Sequence, residues 1–594
     1  MHSLALRILR RANLLNTYPT SPIMLDEWEQ VEVYDQELAV VQGCTKERAA
    51  EIRLAHDAQW QTLSPAAINQ AGITPAEIQG FNAFHGSRTN LYSCVLPGEV
   101  IFKCVDAIRL GVLQPQALPQ MDHLIVDEYQ DLNACDQQFI HQLSQGNTVL
   151  FVAGDDDQSI YSFRHADPSG IVNFQTTYPQ SSSYGLADCF RCTPAVLTSA
   201  GNLIQHNPQR LQKTLTPLYA NALPPVHGQV HAWQYASPEG EAQALADSCL
   251  ALVQAGMAGK EDQILILISN RRLQLNLIAQ ELRMRNLPFD APNVMAFADE
   301  FEGVRAAYSL VRILRNIVTN DEDYLAYRDL LGLLSGVGQT TTQQIGDMCI
   351  SNNQNFRALF HAAPAPAWLS ARASSAVQRV AAVVQVLAGW TMADTVGARH
   401  QGISTLLSTY VFTKGTKAAA RVQAWTALAG ALPAQMTLDE LLLFLAADTE
   451  AEQESVLHTV ATRITLGQGQ QQAQLQKKIR ILTMHGSKGL TGSIVFIPSA
   501  EQGIMPKSSA LHATGLLIEQ RRLFYVALTR TRACCIVSHC SLRTGFQAQA
   551  ILNNPSVSLA RSQFLNEMGI STVQRMGGLT ANEAQAIVAE VNNL

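Results

Sequence analysis

Short apolar runs closed by glycine or acidic residues alternate along the chain with segments whose apolar positions recur every three or four residues. That alternation predicts an α/β fold of the doubly wound kind: strands buried on both faces read as unbroken apolar runs, and the helices that cover them carry a 3.6-residue period. Two regions show it. In the first, His123–Val126 predicts a strand buried on both faces, and Phe139, Ile140 and Leu143 predict a helix. Thr148–Ala153 predicts a second strand closed by Gly154, Ser183–Ala187 a third, and a helix starts near Pro194. The second region is split. Ile264–Ile268 with a helix to about Arg285 forms one part, and Ile479–Met484, Ser493–Ile497 and Ala533–Ser538 form the other. Residues 321–469 read as nearly all helix, as do residues 21–111; Gly467–Gln476 reads as a solvated turn and Ala581–Val591 as a last helix.

At 594 residues the chain is long enough for several domains. Hydrophobic residues make up 47% and charged ones 15%, which excludes a disordered, highly charged tail. Lys and Arg total 42 and Asp and Glu 49, so the net charge is 42 − 49 = −7. With no global basic field, nucleic-acid contact has to come from local patches and stacking. The densest apolar pieces, Ile264–Ile268 and Leu441–Ala447, are far shorter than a membrane helix requires. Arg7, Arg10 and Arg11 interleave with Leu and Ile at the N-terminus, which predicts an amphipathic helix, with an organelle-targeting helix as the alternative. Eleven scattered cysteines fit a reducing, cytoplasmic setting.

Four strings carry candidate chemistry. Leu124–Asp131 places adjacent carboxylates, Asp127 and Glu128, at the carboxyl end of a strand, where one can hold Mg²⁺ and the next orient a water. Gly154–Arg164 adds a second acidic loop, with Gln158 suited to sensing a terminal phosphate and Phe163 and Arg164 suited to a base and a phosphate. Arg191 follows a strand end, and Arg530 closes a helix expected over Glu519–Arg530. Eleven residues at about 100° each bring Glu519 and Arg530 onto one face of that helix, and a cation at its end is a credible arginine finger. Thr483–Leu490 is a strand, a glycine-containing loop and Lys488, a phosphate or nucleic-acid backbone contact. Cys189–Cys192 has zinc or redox spacing without a matching second pair. Cys534, Cys535, His539 and Cys540 fall in a strand that would point them to opposite faces, so metal binding is expected at neither.

Taken in order, DEYQD, GDDDQSIYSFR, LADCFR, TMHGSKGL and EQRRLFYVALTR resemble the later motifs of the UvrD/Rep family of superfamily 1 DNA helicases, and His2–Arg10 resembles its short motif that touches single-stranded DNA. The resemblance covers most of the chain. It implies two RecA-like, P-loop NTPase-type parallel-sheet domains, from residues 1–20 with 112–205 and from 206–320 with 470–550. Helical inserts would occupy 21–111 and 321–469, with a C-terminal tail over 551–594. It implies ATP and Mg²⁺ as cofactors, Asp127 on Mg²⁺ and Glu128 activating the hydrolytic water. Gln158 would link the γ-phosphate to the DNA track, Arg191 and Arg530 would reach that phosphate, and Gly489 would lie at the nucleotide. His2, Phe163, Arg164 and His485 would contact DNA, the partners being single strands and single/double-strand junctions, with stepping 3′ to 5′. By analogy residues 321–469 would touch duplex DNA, with Gly336–Val337–Gly338 a candidate backbone-contacting hairpin.

The departures are as informative. No string fits G-x-x-x-x-G-K-[ST], whose amides, Lys and hydroxyl cradle phosphates and Mg²⁺; the nearest, Gly256–Glu261, lacks the spacing and the hydroxyl. Cys189 stands where the family usually has Asn, and Thr491 where an acid is common. The expectation is an N-terminally clipped or split gene product, with a preceding segment or a partner supplying that loop and its strand. Two alternatives remain beside an ATP-dependent helicase: a catalytically inactive DNA-binding remnant, and a metal-dependent nuclease built on Asp127, Glu128 and Asp155–Asp157.

Overall fold

Seven strands pair in one parallel sheet, in the order Thr572–Gln574, Gln229–Tyr235, Thr531–Cys540, Gly492–Ile497, Ile264–Ile268, Ile479–Thr483 and Phe289–Asp290. This is seen in a computed structural model that describes all residues except 222–224, 292–301, 320–322, 362–364, 448–449 and 468–476. An interior strand shows why the sequence folds this way. Every residue of Ile264–Ile268 is buried. Its period of two sends Ile264, Ile266 and Ile268 into a core with the helices Pro238–Leu252, Arg271–Met284 and Ala581–Asn592. Leu265 and Leu267 enter the opposite core, with the helices Pro194–Ile204 and Thr514–Leu528. An α/β chain with parallel sheets is what the patterning called for.

The chain divides into two units. The one holding this sheet comprises Ile125–Leu132, Phe151–Asn293 and Gln474–Leu594. The other comprises Met1–Leu124, Asn133–Leu150 and Val294–Ala473 and is mainly helical. Its larger core gathers Phe81, Leu310, Val380 and Trp425 from the helices Pro75–Tyr92, Glu302–Thr319, Ala371–Leu387 and Ala418–Ala431. The start of Pro75–Tyr92 is fixed by a capping box between Thr74 and Glu77. A smaller core packs Ala5, Ile8 and Leu9 of the amphipathic helix His2–Arg11 against Glu99–Arg109 and Ala134–Leu143. No described helix is long and apolar enough to cross a membrane.

Four expectations need correction. His123–Val126 and Val149–Val152 pair with each other alone among the described strands, so alternate side chains stand in solvent: Ile125 is 73% exposed and Phe151 60%. These strands are not buried on both faces. Ser183–Ala187 lies outside any strand, and the paired strand is Asp188–Cys189, against Thr216–Pro217. The helix expected to end at Arg530 ends at Leu528, so Arg530 and Glu519 do not share a helical face. Gly336–Gly338 is a turn between the helices Tyr324–Leu333 and Gln339–Ser351, with Gly336 at φ +82°, and not a hairpin. Most of the expected turn over Gly467–Gln476 lies outside the described residues.

Candidate nucleotide and nucleic-acid site

The site lies in the sheet-bearing unit and is assembled by backbone turns at strand ends. Glu128 follows the strand His123–Val126 and sits at φ 52°, a left-handed conformation that is uncommon for a residue with a Cβ and recurs at functional sites. The Asp127 carboxylate accepts the Glu128 amide at 2.9 Å, and both side chains are exposed. Buried Gln130 clamps this loop to the next: its Oε1 accepts the Asp155 amide at 3.0 Å and its carbonyl accepts the Ser159 hydroxyl at 3.0 Å, while its amide nitrogen donates to Glu128. A side chain at Gly154 would stand against that Gln130 oxygen and displace the clamp.

Three acids follow, and the chain already neutralises them. Lys213 ion-pairs with Asp155, with Asp156 at 2.6 Å and with Asp157 at 3.0 Å, and Arg210 grips Asp157 through two bonds of 3.0 and 2.5 Å. Asp155, Asp156 and Asp157 bring their oxygens within 4.8 Å of one another, but the two cations occupy their charge. Asp155 also accepts the Gln158 amide at 2.7 Å, which turns the Gln158 oxygen toward Arg530 Nη2, 3.5 Å away.

Arg530 is 1% exposed and is held by carbonyls, donating to Val526 at 3.0 Å and Leu490 at 3.3 Å. Burial, then the like charge of Arg191, pulls its guanidinium down to about 10, so it stays charged at neutral pH. Arg191 donates to the Thr529 carbonyl at 3.4 Å, beside it. Lys488 completes the set: its ammonium reaches Glu128 at 3.3 Å, the Gln158 carbonyl at 3.2 Å and Asp131. Glu128, Gln158, Arg191 and Arg530, picked from the sequence, thus converge through Lys488 and Thr529. Gly489 lies at φ +83° in the loop after Lys488, with open space where a side chain would stand.

Phe163 is 62% exposed and meets His485 edge to face at 5.8 Å, with the Arg164 guanidinium 5.8 Å over the Phe163 ring. Burial, with the Lys507 charge, lowers His485 to about 4, so it is neutral at physiological pH and offers one donor and one acceptor. His2 belongs to the other unit, where its Nε2 lies 3.0 Å from the Pro97 carbonyl. Gly256–Glu261 runs from the end of one helix through a turn to the start of another: Gly256 is at φ 129° and Lys260 donates to Asn592 at 3.2 Å, which is no phosphate cradle. Sequence reasoning missed Arg210, Lys213 and the clamp by Gln130. Arg210 and Lys213 meet the acids across more than fifty residues of chain, and no local spacing marks such a pairing.

Residues 1–179 match the UvrD/REP helicase N-terminal domain and residues 436–542 the UvrD-like helicase C-terminal domain. The chain is 25% identical to the ATP-dependent DNA helicase PcrA of Bacillus subtilis over 440 residues, 72% of this chain and 56% of that protein. It is 26% identical to DNA helicase II of Escherichia coli over 549 residues, 89% of this chain and 72% of that protein. It is also 26% identical to DNA helicase II of Haemophilus influenzae over 433 residues, 71% and 56%. The chain therefore spans little more than half the length of most of these curated relatives. The N-terminal match contains Asp127, Glu128 and Gln158 and the C-terminal match contains His485, Lys488 and Arg530, so two segments similar to UvrD-type helicase domains contribute, in chain order, to one cluster.

Proposed function

We propose that this chain is an ATP-dependent DNA translocase and helicase that steps 3′ to 5′ along a single strand and opens duplex at junctions. The observation that carries the reading is the continuous contact from Glu128 through Lys488 and Gln158 to Arg530, with Arg191 alongside. Glu128 is the base that orients the attacking water, its exposed carboxylate held in place by the Gln130 amide and the Lys488 ammonium. Gln158 senses the terminal phosphate from an amide aimed by Asp155. Arg530 and Arg191 stabilise the charge that develops on the transferred phosphoryl group.

Asp127 offers an exposed hard oxygen of the kind Mg²⁺ takes, and the acid next to it fits the same site. Bound there, Mg²⁺ would neutralise phosphate oxygens. Phe163 and Arg164 form the stacking and phosphate-holding surface for the strand, with His485 beside them. The domain assignment set out from the family resemblance is part of this reading.

The test is ATP hydrolysis by the 594-residue chain with and without single-stranded DNA. Glu128→Gln is expected to lower stimulated turnover about 10²–10⁴-fold and Arg530→Ala about 10³-fold or more, both with strand binding retained. A second reading is a non-catalytic DNA-binding remnant. Strand binding without any hydrolysis would establish it in place of the first. The nuclease reading has lost half its machinery to Lys213 and Arg210. Strand cleavage without ATP that is abolished by Glu128→Gln would restore it.

A further inference from the structure

Cys189 and Cys192 bracket Arg191, and each is fixed by a different element. The strand Asp188–Cys189 pairs with Thr216–Pro217. Cys192 precedes Thr193, which donates to the Arg532 carbonyl through both its amide, at 3.2 Å, and its hydroxyl, at 2.7 Å, at the start of the helix Pro194–Ile204. The Cys192 amide donates to the Cys189 sulfur at 3.4 Å, and the Cys192 sulfur lies 3.5 Å from the Thr529 carbonyl, which Arg191 also contacts. Cys189 is half-buried beside exposed Phe190, whereas Cys192 is buried.

We propose that Cys189 and Cys192 form a thiol–disulfide modification site that exchanges with small disulfides of the glutathione class and, when oxidised, restrains Arg191. The restraint rests on the role given to Arg191 above; the exchange does not. The two sulfurs are unequal, as a nucleophile and its resolving partner must be. A hydrogen bond from the Cys192 thiol, outweighing burial and helped by the Cys192 and Arg191 amides, brings Cys189 down to about 5, and the same bond with burial pushes Cys192 far up. Elsewhere the thiols are buried and raised, Cys44 excepted from full burial but raised as well.

The Cys189 thiolate attacks a glutathione disulfide sulfur, forming a mixed disulfide and releasing one glutathione thiolate. The Cys192 thiol then loses its proton to solvent and attacks the Cys189 sulfur, releasing the second. One disulfide has been reduced to two thiols and two protein thiols oxidised to one disulfide. In the product the Cys192 S–H is gone, and the closed ring spans Arg191, whose guanidinium contacts the Thr529 carbonyl.

Peptide mass spectrometry of the full chain, equilibrated in stepped ratios of reduced to oxidised glutathione, tests this. The expected result is a Cys189–Cys192 disulfide reversed by dithiothreitol, with Cys192→Ser trapping glutathione on Cys189. Modification of Cys44 ahead of Cys189, or an unmodified Cys189 in Cys192→Ser, overturns the site. DNA-stimulated ATP turnover of the oxidised chain is expected to fall several-fold and to recover on reduction. A disulfide that forms while turnover stays constant overturns the link to Arg191. A reduced chain with no turnover counts against the helicase reading and leaves the thiol measurement standing.

Discussion

Lys488 is the residue on which the site's electrostatics turn. Burial pushes the Asp131 carboxyl above its usual range, and the Lys488 ammonium draws it part of the way back. Asp131 Oδ1 is buried without a hydrogen-bond partner, so the ammonium on Oδ2 carries most of the compensation. Lys488→Ala should therefore destabilise the protein by about 2–3 kcal/mol, the cost of leaving a largely buried charge unpaired. The sign with pH follows from the direction of the shift. A carboxyl raised above its unfolded value, about 3.9 for Asp, binds its proton more tightly in the folded state, so stability falls as pH rises through the window above that value. Removing Lys488 raises Asp131 further. The variant's deficit should be small near pH 4 and grow toward neutrality in urea unfolding followed at several pH values; a deficit independent of pH would show that Lys488 acts on stability some other way.

At the scale of elements, the pair of strands before the acidic loops makes the next prediction. Ile125, Val149 and Phe151 stand exposed on two strands that pair with each other alone among the described residues, and a two-stranded sheet with an apolar face is marginal and association-prone. Ile125→Thr with Phe151→Thr should raise the concentration at which light scattering appears while moving the unfolding midpoint little, since exposed positions usually change stability by no more than about 0.5 kcal/mol. A large loss of stability would mean these side chains are packed in solution. The same strands show what the sequence reveals. Unbroken runs such as Ile264–Ile268 announce themselves, and runs that end in acids or glycine announce the loops that hold Glu128 and Gln158. Gln229–Tyr235 was not legible: Gln229, His231 and Gln234 interrupt its apolar residues, although it pairs along its whole length with Cys534–Cys540. Arg530 was found for its neighbourhood in the chain and misplaced on a helix that ends two residues earlier. What the local pattern cannot carry is the contact across hundreds of residues, Lys488 with Asp131 or Arg191 with Thr529, because it is made by the sheet order and not by spacing.

At the scale of the whole molecule, every candidate residue except His2 and the Gly336–Gly338 segment falls in one unit, on a chain whose net charge of −7 repels nucleic acid as a body. Binding of a single strand must then be local, and the exposed Phe163 with Arg164 over its ring and neutral His485 at its edge is the place to look. Stacking and charge separate experimentally, since only charge contacts release counterions. Phe163→Ala should cost about 1–3 kcal/mol in binding a homopyrimidine strand at every salt concentration, leaving the slope of log affinity against log salt unchanged. Arg164→Ala should weaken binding less at high salt than at low and flatten that slope by about 0.7, the loss of one phosphate contact on a single strand. Fluorescence anisotropy of a labelled strand across a salt series measures both. If Phe163→Ala flattened the slope, or Arg164→Ala left it alone, the strand would have to bind elsewhere, and a negatively charged chain would need a different basic surface to hold it.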